Sequence, residues 1–205
     1  IGSALGASSR ADGFYEGSGL LVSWCVGHLV SPMDAGGYDE RFKKWRYDDL
    51  PILPESFRYV LVPGKEDAFE NLRTLMNRPD VDTIVNACDA GREGELIFRL
   101  VYEMAGCRKP VLRLWISSME DSAIREGFSD LRPGADYEAL YQSALCRQKA
   151  DWLVGINATR LFSVLYHRTL NVGRVQTPTL AMLAERDTKI TLFHKEKYHL
   201  LRLML

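Results

Sequence analysis

No apolar run in this sequence of 205 residues approaches the ~20 that span a bilayer, and the first residues carry no basic-then-apolar leader pattern. A membrane-embedded or exported reading therefore has no support, and a cytoplasmic place is expected. Cysteine is scarce. The four residues, Cys25, Cys88, Cys107 and Cys146, are too scattered for zinc-ligand or redox-pair spacing and read as buried thiols of a reducing compartment. The four histidines are equally dispersed. Internal repeats and low-complexity stretches are missing, and so is a Walker-type glycine loop, so no nucleotide cofactor is expected. Net charge is small as well, at -1, but that value hides a division. Residues 1–130 carry 15 basic and 21 acidic side chains, a net of -6, while residues 131–205 carry 11 and 6, a net of +5. Such a split suits an acidic metal-binding half beside a basic half that meets a polyanion.

What is present is an acidic, glycine-bearing stretch, Asn86-Ala-Cys-Asp-Ala-Gly-Arg-Glu-Gly-Glu95, directly after the apolar segment Val81–Cys88. Asp89 would leave the carboxyl end of that strand, where open parallel sheets bind ligands. Gly91 and Gly94 would let the backbone turn tightly and approach a phosphate or a hydrated ion. Mg²⁺ keeps several waters and takes one or two carboxylates, so Asp89 and Glu93 suffice as its protein ligands. Glu95 is expected to start the following helix, where its charge suits the positive end of the helix dipole. The alternative is a capped strand-to-helix turn with solvated acids.

Around this stretch the pattern reads as α/β. A hairpin is expected from Phe14–Glu16 and Leu20–Val26, turning at Gly17-Ser18-Gly19. A long loop at 33–54 and a short strand at 57–62 follow. Helix 65–77, strand 81–88, helix 95–105, strand 111–116 and helix 119–131 then give a βαβα run of parallel strands with helices on the faces. Beyond Arg132-Pro133-Gly134 the pattern turns helical, at 137–153, 158–166 and 178–187, and a second domain is expected there. Lys197–Leu205 alternates enough to begin a strand.

In the basic half, Arg147, Lys149, Arg160, Arg168 and Arg174 are interleaved with aromatics, a composition that suits a nucleic-acid strand. Trp152 and Phe162, placed on helices, are expected in the core. Asn171-Val-Gly-Arg-Val-Gln-Thr-Pro-Thr-Leu180 offers Thr177 as an N-cap and Pro178 as a first helical residue. Free helix amides beside Arg174 would form an anion site, with Gln176 able to reach a base edge or a phosphate.

Three stretches, Asp89–Glu95, Ala150–Arg160 and Gly173–Pro178, occur in the order seen in type IA DNA topoisomerases, and the chain most resembles the bacterial topoisomerase III branch. Trp24–Leu29 and Trp45–Pro54 also resemble that branch, so the likeness covers nearly the whole chain. It implies a Toprim (Rossmann-like) parallel-sheet domain over residues 1–131 with its first strand missing. A helical single-stranded-DNA-binding region at 132–190 and the start of a further β-containing domain at 191–205 would follow.

On this resemblance Asp89 and Glu93 match two acidic positions of the catalytic Mg²⁺ site, and the family's usual second aspartate falls at Gly91. Arg92 matches the loop arginine and would touch a phosphate, while His28 lies in a Gly-His-Leu stretch near the site. Arg147, Arg160, Arg174 and Gln176 become the DNA contacts, with Arg174 close enough to the scissile phosphate to act with Asp89 and Glu93 in catalysis. The family nucleophile is a tyrosine in a Tyr-Pro-Arg-Thr type context, and none of the nine tyrosines here has that context. The expectation is a fragment of an ATP-independent topoisomerase that cannot cleave DNA by itself. Two rivals stand beside it. Another Toprim enzyme, a primase or nuclease, would share the acidic loop but leave 150–160 and 173–178 unexplained. A non-catalytic single-stranded nucleic-acid-binding Toprim module would account for Gly91 and the absent tyrosine.

Overall fold

The computed structural model describes residues 1–204. Helix α1 (Gly2–Leu5) is a single turn closed by Gly6 at φ 85°, and strand β1 (Ser9–Ala11) follows it. Strands β2 (Phe14–Gly17) and β3 (Leu20–Val22) form the expected hairpin, with β1 on its other side. Ser18 and Gly19 connect them at φ 52° and 74°, the doubly positive geometry that a two-residue turn needs to match strand twist. Strand β4 (Val30–Pro32) pairs antiparallel with β5 (Tyr59–Leu61), and the intervening loop holds only the single turn α2 (Ala35–Tyr38) and two 3₁₀ turns.

Helix α3 (Glu66–Asn77) turns Phe69, Leu72, Leu75 and Met76 inward, as its spacing predicts. Strand β6 (Ile84–Asn86), helix α4 (Arg92–Met104), strand β7 (Val111–Arg113) and helix α5 (Asp121–Ser129) then give the expected alternation. β6 and β7 run parallel, with Asn86 opposite Arg113. The sheet is mixed rather than wholly parallel, because β8 (Arg132–Pro133) joins β7 antiparallel. Pro133 has no N–H to donate and so ends the ladder at the edge. The α/β class stands with that amendment.

Helix α6 (Glu138–Leu165) is continuous, where two helices separated near Gly155 were expected. One glycine costs a helix interior about 1 kcal/mol but does not interrupt its hydrogen bonds. Helix α7 (Gln176–Thr191) follows, and no strand forms over 197–204; the last residue of that expected strand lies outside the described residues. No helix among the described residues is long and apolar enough to cross a membrane.

The chain divides into two compact units, Ile1–Lys43 with Leu53–Trp152, and Lys44–Ile52 with the residues from Leu153 onward. In the first, Leu29, Phe69, Leu72, Leu96, Phe98 and Val101 centre the core, and Trp152 packs edge-on to Phe57 and Tyr38. Phe162, expected inside, is 41% exposed on α6. In the second unit the Asn157 side chain clamps the Ile52 backbone. It accepts the Ile52 N–H at 2.6 Å and donates to the Ile52 carbonyl at 3.0 Å, as a strand partner would.

Two ionised side chains lie within the first unit's core. Glu95 and Arg113, 1% and 0% exposed, meet at 3.1 Å. Glu95 is further held by Arg99 at 2.9 Å and by the Asn86 amide at 2.9 Å. The expectation for Glu95 is corrected: α4 begins three residues earlier, at Arg92, and the helical repeat turns Glu95 inward to a buried cation. Burial pushes the Arg113 guanidinium below its ordinary pKa against the pull of Glu95, yet an arginine remains charged at neutral pH. Replacing Glu95 by alanine strands that charge, so Glu95→Ala should lower the unfolding free energy by about 3–5 kcal/mol in urea denaturation. Glu70→Ala, which removes an exposed pair with Arg73, should cost under about 1 kcal/mol. Equal losses would reduce the buried pair to a surface contact.

Candidate functional site

The acidic loop is built by where its carbonyls go. Beyond the end of β6, Arg113 donates through one terminal nitrogen to the carbonyls of Asn86 at 3.0 Å and Cys88 at 2.7 Å, and through the other to that of Asp89 at 2.6 Å. The Asn86 side-chain oxygen accepts the Cys88 N–H at 3.1 Å. Buried donors thus turn the loop carbonyls inward, while the Asp89 side chain stays exposed at the carboxyl end of a parallel strand.

The two loop glycines have different reasons. A β-carbon on Gly94 would lie 2.2 Å from the Asp89 carbonyl oxygen, so helix and loop touch backbone to backbone there. Gly91 is extended at φ 178° and ψ 177°, and a β-carbon on it would meet open space. The expectation that both serve a tight turn holds for close approach at Gly94 and fails for Gly91.

Arg92 and Glu93 occupy the first turn of α4, both exposed, and His28 brings its Nε2 to 3.5 Å from a Glu93 oxygen. Asp89, Arg92, Glu93 and His28 therefore belong to one neighbourhood. No group of three His, Cys, Asp or Glu side chains gathers around a cation position among the described residues. Two exposed carboxylates, Asp89 in the loop and Glu93 in the first turn of α4, have the oxygen chemistry of a hard, hydrated ion rather than of zinc. Cys25 and Cys88, far apart in sequence, do meet. Their shared hydrogen bond, together with burial, pushes the Cys25 thiol up, and the same bond with the Arg113 charge pulls Cys88 down against burial.

The remaining candidates divide between the units. Arg147, on α6 in the first unit, is 36% exposed and lies 4.0 Å from Asp151. Arg160, in the second, is buried with its guanidinium 5.5 Å from the centre of the Trp45 ring. Arg174 and Gln176 are exposed, at the end of a loop and the first residue of α7. That loop is tied to α6, because the Thr159 hydroxyl accepts the Val172 N–H at 2.9 Å and the Ser163 hydroxyl accepts that of Leu170 at 2.9 Å. Thr177 does not cap the helix. Its hydroxyl accepts the Gly173 N–H at 3.0 Å, closing the loop upon itself, and α7 already begins at Gln176.

Sequence reasoning missed Arg113, on which the loop rests. The signal was an arginine inside the apolar strand Val111-Leu-Arg-Leu-Trp115, which calls for a buried carboxylate nearby.

A DNA topoisomerase family model matches residues 135–205. The chain is 48% identical over 193 residues to DNA topoisomerase 3 of Bacillus subtilis (strain 168), covering 94% of this chain and 26% of that protein. It is 44% identical over 199 residues to DNA topoisomerase 3 of Shouchella clausii (strain KSM-K16), covering 97% and 27%. It thus spans about a quarter of the length of the named relatives it matches. Among solved structures, full-length topoisomerase I from Thermotoga maritima shares the fold at a TM-score of 0.55 and 24% identity, over 82% of this chain and 26% of that one.

The glycine geometry gives a paired expectation. Gly94→Ala should displace the Asp89 loop and destabilise the chain by about 1–3 kcal/mol, as overpacking does. Gly91→Ala should be neutral or stabilise by up to about 1 kcal/mol. Amide hydrogen exchange at 88–91 reads the displacement, and unchanged protection in Gly94→Ala would mean that the contact yields without moving the loop.

Proposed function

We propose that this chain, topoisomerase III-like over nearly its whole length, supplies the metal loop and part of the single-stranded-DNA cradle of a type IA DNA topoisomerase. The parent protein changes DNA topology without ATP. A tyrosine attacks one strand, retains the 5′ end as a phosphotyrosine, and religation follows strand passage, the covalent link conserving the energy of the phosphodiester bond. The nucleophile is not among the tyrosines of this chain. Residues 1–131 are read as the Toprim part, 132–190 as the helical DNA-binding part and 191–205 as the start of a further domain. A cytoplasmic, DNA-associated place follows.

The observation that carries the proposal is the loop Asp89–Glu93, held by Arg113 at the carboxyl end of β6 with two carboxylates outward. Asp89 and Glu93 would hold Mg²⁺, whose waters occupy the positions that no third carboxylate fills. When bound, the ion neutralises charge near the break and orients phosphate oxygens. His28, 3.5 Å from a Glu93 oxygen, would help to orient that carboxylate. Arg92, at the start of α4, adds a cation and free helix amides for a phosphate. Arg174, with Gln176 beside it, neutralises a backbone phosphate and in the full enzyme stabilises charge at the scissile one. Arg147 and Arg160 are the remaining proposed contacts, Arg147 partly exposed on α6 and Arg160 buried against Trp45.

A second reading, a non-catalytic single-stranded nucleic-acid module, has Gly91 in its favour, since an aspartate is usual there in the family. The open surroundings of Gly91 let one substitution separate the two. Gly91→Asp should tighten Mg²⁺ binding in calorimetry and Asp89→Asn should weaken it. Titrations identical to the parent's for both variants would remove the loop from metal chemistry and favour the module. Separately, anisotropy of a labelled single strand should show salt-sensitive binding whose log–log slope falls by about 0.7 in Arg174→Ala, one phosphate contact on a single strand. An unchanged slope would take Arg174 off the phosphate backbone.

A further inference from the structure

Residues beyond the ends of β6 and β7 share one edge of the sheet. Asn86 and Arg113 are opposite each other in the parallel register, so Asp89 lies three residues past one strand end and Trp115 two residues past its neighbour. Paired strands run about 4.8 Å apart, which places Trp115 beside the acidic loop. One guanidinium touches both, for Arg113 donates to the Asp89 carbonyl at 2.6 Å while its central carbon lies 5.0 Å from the Trp115 ring centre.

Trp115 is nonetheless 44% exposed. Its ring stacks on Tyr137 at 5.2 Å and an interplanar angle of 21°, and the Arg113 carbon lies 6.0 Å from the Tyr137 ring centre. Separations of 5.0, 5.2 and 6.0 Å form a nearly equilateral triangle. Tyr137 and Arg113 are therefore not on opposite sides of the indole centre and do not sandwich the ring. With Tyr137 stacked on one face, we assign the exposed part of Trp115 to the other, and the stack holds the ring's plane before anything binds.

We infer that the open face of Trp115 is a stacking platform for one unpaired base of the single strand whose phosphate lies at the Asp89–Glu93 loop. This rests on the DNA reading proposed above and adds to it a base contact in the acidic half. The chemistry selects the occupant. A nucleotide strand carries, within one residue's reach, both an anion for Arg92 and the free amides at the start of α4 and a flat aromatic for the indole, and stacking of this kind is sequence-tolerant because every base has such a face. A prefixed ring also loses little side-chain freedom on binding.

The test uses the 205-residue chain in anisotropy with two labelled strands of equal length, an oligodeoxythymidylate and its abasic counterpart. Trp115→Ala should weaken binding to the thymidine strand about tenfold, within the range for one stacked base, without changing the salt slope. Its affinity for the abasic strand should equal the parent's, and Trp115→Phe should retain most of the affinity for thymidine. The thymidine strand should also quench tryptophan emission in the parent by an amount missing from Trp115→Phe, a readout that does not depend on the alanine variant folding. Undiminished thymidine binding in Trp115→Ala, an equal loss on both strands, or equal quenching in parent and Trp115→Phe would each overturn the platform and leave Trp115 a cover over Arg113. A parent that binds neither strand would overturn the DNA reading itself, and the platform with it.

Discussion

A buried salt bridge is an expensive element to fold around, because both ions leave water. Glu95 and Arg113 are tolerable inside this core because almost every polar atom they carry is used. The carboxylate takes Arg99 and Asn86 beside its partner, and the guanidinium reaches four backbone carbonyls in and beyond the two parallel strands. The pair therefore joins β6, β7 and α4 at one point. The exposure of the Asp89 side chain, the contact at Gly94 and the plane of Trp115 all depend on that cation being where it is. A hydrophobic pair of the same volume could fill the space but could not draw the carbonyls of Asn86, Cys88 and Asp89 inward.

Much of the fold was legible because periodicity reports it directly. The apolar spacing of α3, the Ser18-Gly19 turn and the alternation from β6 to α5 follow from residues three or four apart, or from a turn's demand for positive φ. The continuity of α6 was not legible, since a glycine and an asparagine in sequence look like punctuation while in space Asn157 is occupied by Ile52. The antiparallel β8 was missed for a related reason. A two-residue edge strand carries no period at all.

The candidate site was legible at its surface and hidden beneath it. Asp89, Arg92 and Glu93 announce themselves as charges in a glycine-bearing turn. Arg113 and Glu95 carry the same chemistry, yet their roles depend on a register between two strands that local sequence does not display. The meeting of Cys25 with Cys88 is long-range in the same way. Motif resemblance bridged part of the gap, because a family motif records the outcome of tertiary contacts without showing them.

The Asn157 amide that pairs with the Ile52 backbone joins positions 105 residues apart. The second unit is consequently discontinuous, its short piece at 44–52 separated from the rest by most of the first unit. During synthesis its assembly waits until α6 has been made, since the earlier segment has nothing to pair with before then. Dissection inherits the same constraint. A cut placed anywhere between 53 and 152 divides a unit that no contiguous stretch of this chain contains, and a fragment taken from α6 onward would present Asn157 to water with its backbone partner left behind.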